Sequence, residues 1–159
     1  MKAKRSADEW FAAYGESHQD HTNELIHWIC VPVIFFCVLG LIWSIPIPDR
    51  LEEAAPWFDW TIPVGLAVLA FYLRLSPALA AGMFFFITVC YLLIVLQASI
   101  CPVPVWKTSL ILFVAAWIGQ FIGHKIEGKK PSFLNDIVFL LIGPAWLMHF
   151  VFKKAGVKY

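Results

Sequence analysis

The sequence predicts an all-α integral membrane protein of one domain, and three observations lead to that prediction. Of the 159 residues, 60% are apolar and 14% are charged, whereas soluble domains are about half apolar and about a quarter charged. The apolar residues form runs long enough for helices of about 20 residues, the length that crosses the hydrocarbon core of a bilayer. All four cysteines lie within or beside these runs and form no C-x-x-C pair, so neither a disulfide framework nor a thiolate zinc site is expected.

The chain is expected to begin with a helix on the membrane surface and then to cross the bilayer four times. Within residues 1–24, Trp10, Phe11 and Tyr14 share one side of a helix, which is typical of an amphipathic interfacial segment. The predicted spans cover residues 25–45, 57–75, 77–100 and 106–124. Because the first apolar run has the length of a span, a cleaved signal peptide is not expected.

The last apolar run, residues 137–152, is expected to be broken or re-entrant because Gly143 and Pro144 lie in its middle. With the N-terminus inside, ten of the 12 basic residues lie inside if this run bends back, against seven if it crosses. The inside residues in the first case are Lys2, Lys4, Arg5, Arg74, Lys125, Lys129, Lys130, Lys153, Lys154 and Lys158. The formal net charge of only +1 argues against nucleic acid as a partner.

Histidines gather on one side of this predicted topology. His18, His21 and His27 lie within ten residues at the start of the first span, and His124 lies at the end of the fourth. All four therefore share the cytoplasmic side, where His149 joins them if the last run is re-entrant. Imidazoles that converge in an apolar setting predict a metal site, with iron, zinc or copper as candidates.

Helix geometry restricts which of these side chains can act together. Asn23 and Asp20 precede His27 by four and seven residues and so share its face. His18 precedes His27 by nine residues, on the opposite side of a straight helix, so the chain must bend if both bind one ion. A second strip on one helix face consists of Gln120, His124 and Glu127.

Other interpretations stay open on the residues alone. A histidine near a membrane interface often only caps a helix or reaches toward water, and His21 could simply anchor the interfacial helix. The chain could be a histidine-lined metal carrier or small transporter, or a non-catalytic membrane scaffold. A di-iron enzyme of the histidine-box kind is not expected, because such sites need more histidines than the five in this chain.

Two spaced motifs carry a resemblance to a known family. They are Tyr14-x3-His18-x4-Asn23-x3-His27-x4-Pro32 and Trp117-x2-Gln120-x3-His124-x2-Glu127-x3-Pro131. Together they resemble the Mpo-type family, named for metabolism of phytosphingosine, whose eukaryotic members are membrane enzymes of the endoplasmic reticulum. The two polar clusters and the order of apolar segments between them match, so the resemblance covers nearly the whole chain.

The resemblance implies an Fe(II)-dependent dioxygenase, with O₂ as co-substrate, that shortens 2-hydroxy fatty acids by one carbon in the α-oxidation step of sphingolipid breakdown. It implicates His18, His27 and His124 as catalytic metal ligands, with His21 or His149 completing or supporting the shell. The residues expected to orient the histidines or bound oxygen are Asn23, Gln120, Glu127, Asp20 and Tyr14. The residues expected to attract the anionic head group are Lys125, Lys129 and Lys130.

The chain departs from the eukaryotic pattern of this family at one position. Where eukaryotic members carry a carboxylate near the end of the last apolar segment, this chain has His149.

The small size of the chain favours a bacterial inner membrane, with the endoplasmic reticulum as the alternative for a eukaryotic protein. The alkyl tail of the substrate is expected to run between the spans into the bilayer.

Overall fold

Seven helices and no strand make up the part of the chain that the structure, a computed structural model, describes: residues 5–131 and 138–159. In chain order they are α1 (Ala7–Gly15), α2 (His21–Trp43), α3 (Asp49–Ala54), α4 (Thr61–Leu75), α5 (Pro77–Ile100), α6 (Val105–Glu127) and α7 (Phe139–Ala155). The all-α prediction is therefore confirmed for these residues. Lys2, Lys4 and Ile137, which entered the topology prediction, lie outside them.

Three of the helices are long and apolar enough to cross a bilayer. Helices α2, α5 and α6 have 23, 24 and 23 residues, or about 35 Å at 1.5 Å per residue, which exceeds the roughly 30 Å of hydrocarbon. Helix α4 is apolar but has only 15 residues, about 22 Å. Length and composition thus support an integral membrane protein with three candidate spans, and α4 is shorter than the span predicted at 57–75.

A turn separates α1 from α2, the first candidate span. Residues 16–20 are not helical. Asp20 accepts hydrogen bonds from the backbone N–H groups of Thr22 and Asn23 and thereby caps the start of α2. Helix α1 is therefore shorter than the interfacial helix predicted over residues 1–24, and its Phe11 and Tyr14 are buried inside the protein. The chain turns between His18 and His27, as their spacing requires if both rings are to meet.

Glycines allow α2 and α6 to pack closely in antiparallel directions. A Cβ at Gly40 would overlap the Ser109 side chain, and a Cβ at Gly123 would overlap the Asn23 amide. Small residues at such positions let two membrane helices approach each other. Because the start of α2 meets the end of α6, and the end of α2 meets the start of α6, the two polar clusters lie at the same end of the bundle.

Helix α7 corrects the expectation for the last apolar run. It runs continuously from Phe139 to Ala155 through Gly143 and Pro144, so the predicted break or reversal at this pair is wrong. The missing backbone N–H of Pro144 removes one helical hydrogen bond without ending the helix. Gly143 gives the ring of Tyr14 room to approach, since a Cβ there would lie 3.0 Å from the tyrosine hydroxyl.

Helix α7 lies across the end of the bundle that holds the polar clusters. The carbonyl of Leu141 accepts a 2.7 Å hydrogen bond from the hydroxyl of Tyr72, in the last turn of α4. The ring centroid of Phe150 is 6.2 Å from that of Trp28, early in α2, and Gly82, early in α5, also faces α7. Because successive parts of α7 meet the ends of three different helices, α7 crosses over the bundle instead of running along it.

The largest buried apolar cluster supports this end of the molecule. It forms where α1, α2, α4, α5 and α7 meet. Its members without solvent exposure are Tyr72, Leu79, Met83, Ile142 and Ala145. Each large side chain buried in this way contributes about 1.5–3 kcal/mol in an aqueous reference, and the packing gives the polar site a rigid support.

Candidate metal centre

Three histidines from separate segments converge at one buried point. His18 comes from the turn before α2, His27 from the second turn of α2 and His124 from the last turn of α6. Their ring centroids are 4.3 Å (His18 to His27), 4.8 Å (His27 to His124) and 5.0 Å (His18 to His124) apart. One nitrogen of each ring lies within 4.8 Å of the others, and the three residues are 4%, 0% and 5% exposed.

In His18 and His27, a hydrogen bond to a backbone carbonyl determines which ring nitrogen carries the proton. Nδ1 of His18 lies 2.7 Å from the carbonyl oxygen of Tyr14, and Nδ1 of His27 lies 2.9 Å from that of Asn23. Because a carbonyl oxygen only accepts, each Nδ1 carries the proton and donates it. The Nε2 atoms of His18 and His27 therefore keep their lone pairs.

Three buried histidine nitrogens have no hydrogen-bond partner among the described residues. Nε2 of His18, Nε2 of His27 and Nδ1 of His124 are buried and accept no hydrogen bond from the described part of the chain. Buried polar atoms in folded proteins almost always have a partner, and imidazole nitrogen is a common ligand of transition metals. The donor set therefore fits a metal ion, which would satisfy all three nitrogens together.

Burial also keeps His18, which lies outside the candidate spans, in the protonation state that can bind a metal. Desolvation lowers the pKa of His18 from 6.5 to about 4, and the hydrogen bond to the Tyr14 carbonyl opposes this only in part. The imidazole of His18 is therefore neutral at neutral pH. A neutral imidazole is the form that coordinates a metal ion, so no proton has to be displaced from Nε2.

One carboxylate connects the segments that carry the histidines. Glu127 accepts hydrogen bonds from the backbone N–H of Gln19 at 3.0 Å, from the backbone N–H of Asp20 at 2.8 Å and from the side-chain amide of Asn23 at 3.2 Å. The same Asn23 amide also donates to the carbonyl of Ser17 at 3.0 Å. Glu127, at the end of α6, thus holds the turn before α2 against the helix that carries His124.

Aromatic side chains from α1 and α7 cover the histidine group. The rings of Tyr14 and His18 are stacked, with centroids 4.1 Å apart and planes at 15°. Trp146 packs against both, with centroids 5.3 Å from Tyr14 and 5.4 Å from His18. These contacts restrict rotation of the His18 ring and exclude water from one side of the site.

Comparison with known proteins identifies the family. A family model described as 2-hydroxy-palmitic acid dioxygenase Mpo1-like matches residues 4–155. The chain belongs to the Mpo1-like family. It is also similar to the 2-hydroxy-palmitic acid dioxygenase MPO1 of Saccharomyces cerevisiae, with 29% identity over 142 residues that cover 86% of this chain and 74% of the relative. No solved structure was found to match the chain.

The family resemblance drawn from the two motifs is therefore confirmed, and the segment matched to the Mpo1-like family contains all five histidines. The structure does not bring two of them to the group. His21 is exposed at the first position of α2. His149 forms a hydrogen bond with the hydroxyl of Tyr159, and its ring lies 5.2 Å from that of Phe11.

The other residues predicted for the site of this Mpo1-like protein differ in their burial and in their contacts. Gln120 is buried one turn before His124 and lines a cavity beside it. Lys125 and Lys130 are exposed on the same side. The ammonium group of Lys129 donates to the backbone carbonyl of Glu16, so this lysine links the end of α6 to the end of α1.

Two residues near the histidines were not predicted from the sequence. Trp146 is one, and no spacing in the sequence connects it with His18, because only the crossing of α7 over the bundle brings them together. Gly123 is the other. A glycine inside a helix destabilises the helix by about 1 kcal/mol relative to alanine. Its presence within a predicted span could therefore have indicated that another helix packs closely at this position.

Proposed function

We propose that His18, His27 and His124 bind Fe(II) and that the protein uses this ion to oxidise 2-hydroxy fatty acids with O₂. Family membership gives the reaction class, since the chain is a 2-hydroxy fatty acid dioxygenase of the Mpo1 family. The observation that carries the metal assignment is the convergence of three buried imidazole nitrogens that no described residue satisfies. Shortening by one carbon, as in sphingolipid α-oxidation, is part of this proposal.

The reaction class favours a redox-active ion over zinc, and the resemblance to Fe(II)-dependent dioxygenases favours iron over copper. Three histidine nitrogens suit iron, copper or zinc, but zinc has no redox chemistry. Bound here, Fe(II) would supply electrons and open coordination positions for O₂ and for the substrate. The group contains no carboxylate within the described part of the chain, and the Glu127 carboxylate is occupied with backbone N–H groups.

The charge of such a centre fits the chemistry of the substrate. Three neutral histidine ligands would not neutralise a divalent ion, so the centre would carry a net positive charge. A bound ion is often the largest local charge in such a site. The carboxylate and hydroxyl oxygens of a 2-hydroxy acid form an anionic pair that can chelate the ion. The exposed Lys125 and Lys130 would attract the same head group to this end of the bundle.

The residues around the histidines supply orientation and shielding. The Nδ1–H groups of His18 and His27 are anchored to backbone carbonyls, which aims both Nε2 atoms at one point. Tyr14 and Trp146 exclude water on the α1 and α7 side. Gln120, buried beside His124, offers an amide that can orient the substrate head group.

The proposed enzyme works at a membrane surface. The site lies at one end of the three candidate spans, and we assign this end to the cytoplasmic side of a bacterial inner membrane. In a eukaryotic cell the corresponding location is the endoplasmic reticulum. A substrate that partitions into the bilayer would reach the site with its head group at the interface.

Metal analysis and oxygen uptake test this proposal together. Protein purified in detergent should contain stoichiometric iron by mass spectrometry and should consume O₂ with 2-hydroxypalmitate but not with palmitate, which lacks the hydroxyl. His124→Ala should lose both properties, whereas His21→Ala, an exposed histidine of the same region, should keep both. Unchanged iron content and turnover in His124→Ala would refute the assignment, and metal without O₂ uptake in the wild type would favour a carrier.

A further inference from the structure

An elongated cavity begins at His124, one of the three clustered histidines. It has a volume of about 430 Å³ and is bounded by α2, α4 and α6, with α7 closing the histidine end. Among the described lining residues, the polar groups of Tyr14, Gln120 and His124 lie at that end, and the indole of Trp117 lies about one turn further along α6. Elsewhere the walls consist of apolar side chains such as Val38, Ile42 and Phe113. Its size falls within the roughly 300–1,000 Å³ that is usual for small-molecule sites.

The cavity extends far along the helices. On α6 its lining reaches from His124 back to Phe113, a distance of about 16 Å at 1.5 Å per residue. On α2 the lining reaches from Val31 to Ile42, also about 16 Å. A narrow apolar space of this length with one polar end matches a molecule with one polar head and a straight alkyl tail.

We propose that this cavity holds the alkyl tail of the 2-hydroxy fatty acid and that Val64 and Val68 on α4 determine the preferred chain length. The inference rests on the function proposed above and adds the location of the tail, which would lie inside the protein instead of extending into the bilayer. The polar end favours the substrate as occupant, because Gln120 and His124 line the cavity and His124 belongs to the histidine cluster.

The two valines lie at different depths. The Tyr72 hydroxyl donates to the Leu141 carbonyl of α7, so the C-terminal end of α4 is the end nearer the histidines. Val68 and Val64, which both line the cavity, come one and two turns earlier, about 6 and 12 Å further down the helix. A larger side chain at Val68 should therefore stop the tail sooner than one at Val64.

Chain-length profiles test this arrangement. The value of kcat/KM would be measured for saturated 2-hydroxy acids from lauric to stearic. Because the tail leaves lipid or detergent hydrocarbon and not water, the gain per added methylene should stay well below the roughly fourfold of aqueous transfer. In the wild type the value should reach a maximum at the chain length that fills the cavity and fall for longer acids. Val64→Phe should move the optimum to shorter acids, and Val68→Phe should move it further.

The matched control is Ala67→Phe, because Ala67 is exposed on the same helix and does not line the cavity. This variant should keep the wild-type profile. If both valine variants also keep that profile, the tail does not occupy the cavity. If Ala67→Phe shifts the optimum as strongly as Val64→Phe, α4 does not act through the cavity and the proposal is equally overturned.

Photo-crosslinking gives a second measurement that does not depend on turnover or on the folding of a variant. A 2-hydroxypalmitate with a diazirine at the end of its tail should label the wild-type protein near Ile42 and Val64. Excess unlabelled 2-hydroxypalmitate should prevent the labelling, whereas phosphatidylcholine should not. Labelling confined to outward residues such as Ile111, which is 68% exposed, or labelling prevented equally by phosphatidylcholine, would overturn the proposal.

The two measurements also distinguish this inference from the proposed function. Specific cavity labelling in a protein that consumes no O₂ would leave the tail site standing and would refute the dioxygenase activity. Oxygen uptake with labelling only on outward residues would leave the activity standing and would refute the tail site.

Discussion

The Glu127 carboxylate accepts a 2.8 Å hydrogen bond from the backbone N–H of Asp20, the residue that caps α2. The two residues are separated by 107 positions in the sequence. Through this contact the end of α6, which carries His124, is joined to the turn that carries His18. The relative position of these two histidines therefore depends on a carboxylate that is not itself one of the three proposed ligands.

Replacing Glu127 should weaken metal binding without removing a ligand. In Glu127→Ala the backbone N–H groups of the turn lose their acceptor, and the turn that carries His18 should become less ordered. Loss of a partner bonded directly to a ligand typically reduces metal affinity about 10–100-fold. Glu127 acts one contact further away, through the turn, so we expect a loss at the lower end of that range, measured by competitive chelator titration. Glu16→Ala is the control, because the Glu16 side chain is exposed at the end of α1. Equal iron affinity in the two variants would show that Glu127 does not position the ligands.

Gly123 should tolerate no side chain. A Cβ at this position would overlap the Asn23 amide, so Gly123→Ala should push α2 and α6 apart at the site. Overpacking of this kind usually costs about 1–3 kcal/mol, and thermal unfolding in detergent should show a lower Tm together with reduced iron content.

Gly65→Ala provides the matched comparison for that experiment. No atom lies within 4 Å of a Cβ built at Gly65 on α4, and alanine is favoured over glycine in a helix by about 1 kcal/mol. Its Tm should stay the same or rise. A Tm and an iron content in Gly123→Ala equal to those of Gly65→Ala would contradict the close packing of α2 and α6 at the histidines.

Much of the site could be predicted because its geometry depends on local spacing and on membrane topology. The four-residue and three-residue spacings around His124 fix one face of α6, and the equivalent spacing of Asn23 and His27 fixes one face of α2. A polar cluster that precedes one span and another that ends an antiparallel span must lie on the same side of the membrane. The turn between His18 and His27 followed from the same argument, because a straight helix places them on opposite sides.

The features of the site that involve α7 depend on tertiary packing, which the spacing of residues in the sequence does not reveal. Gly143 and Pro144 were expected to break the last helix, but packing against Tyr14 and the surrounding core keeps α7 helical through both residues. The contact of Trp146 with His18 arises only because α7 crosses the bundle end. For the same reason His149, which shares this helix, is directed toward Tyr159 and not toward the cluster of His18, His27 and His124.

The stack of Tyr14 on His18 should contribute to metal affinity through the orientation of the imidazole. Aromatic pairs of this kind contribute about 0.5–1.5 kcal/mol beyond burial, so Tyr14→Leu should weaken iron binding about 2–10-fold, measured by the same chelator titration. Tyr14→Phe keeps a stacked ring and should bind iron almost as the wild type does.

Phe11→Leu controls for the loss of core packing, since Phe11 is buried on α1 but its ring contacts His149 and Tyr159 instead of His18. It should lower the Tm by an amount similar to that caused by Tyr14→Leu and leave iron affinity unchanged. If Phe11→Leu weakens iron binding as much as Tyr14→Leu does, the effect arises from general loosening of α1.

The buried state of His18 should make the metal-free protein less stable as the pH falls. Its pKa is about 4 in the folded protein and 6.5 in the unfolded chain, so between these values the unfolded state binds more protons. Stability therefore rises with pH in this window and is lost as the pH falls from 6.5 to 4, by up to about 3 kcal/mol from this residue. Below pH 4 both states are protonated at this position and its contribution becomes constant.

Comparison with His18→Asn isolates that contribution. The asparagine amide can still donate to the Tyr14 carbonyl but does not titrate, so the metal-free variant should lose less stability between pH 6.5 and pH 4 than the wild type does. Denaturant unfolding in detergent at a series of pH values measures both curves. Parallel curves for the two proteins would mean that His18 is not held as a neutral imidazole, and the lone pair on Nε2 that the metal assignment requires would then be absent.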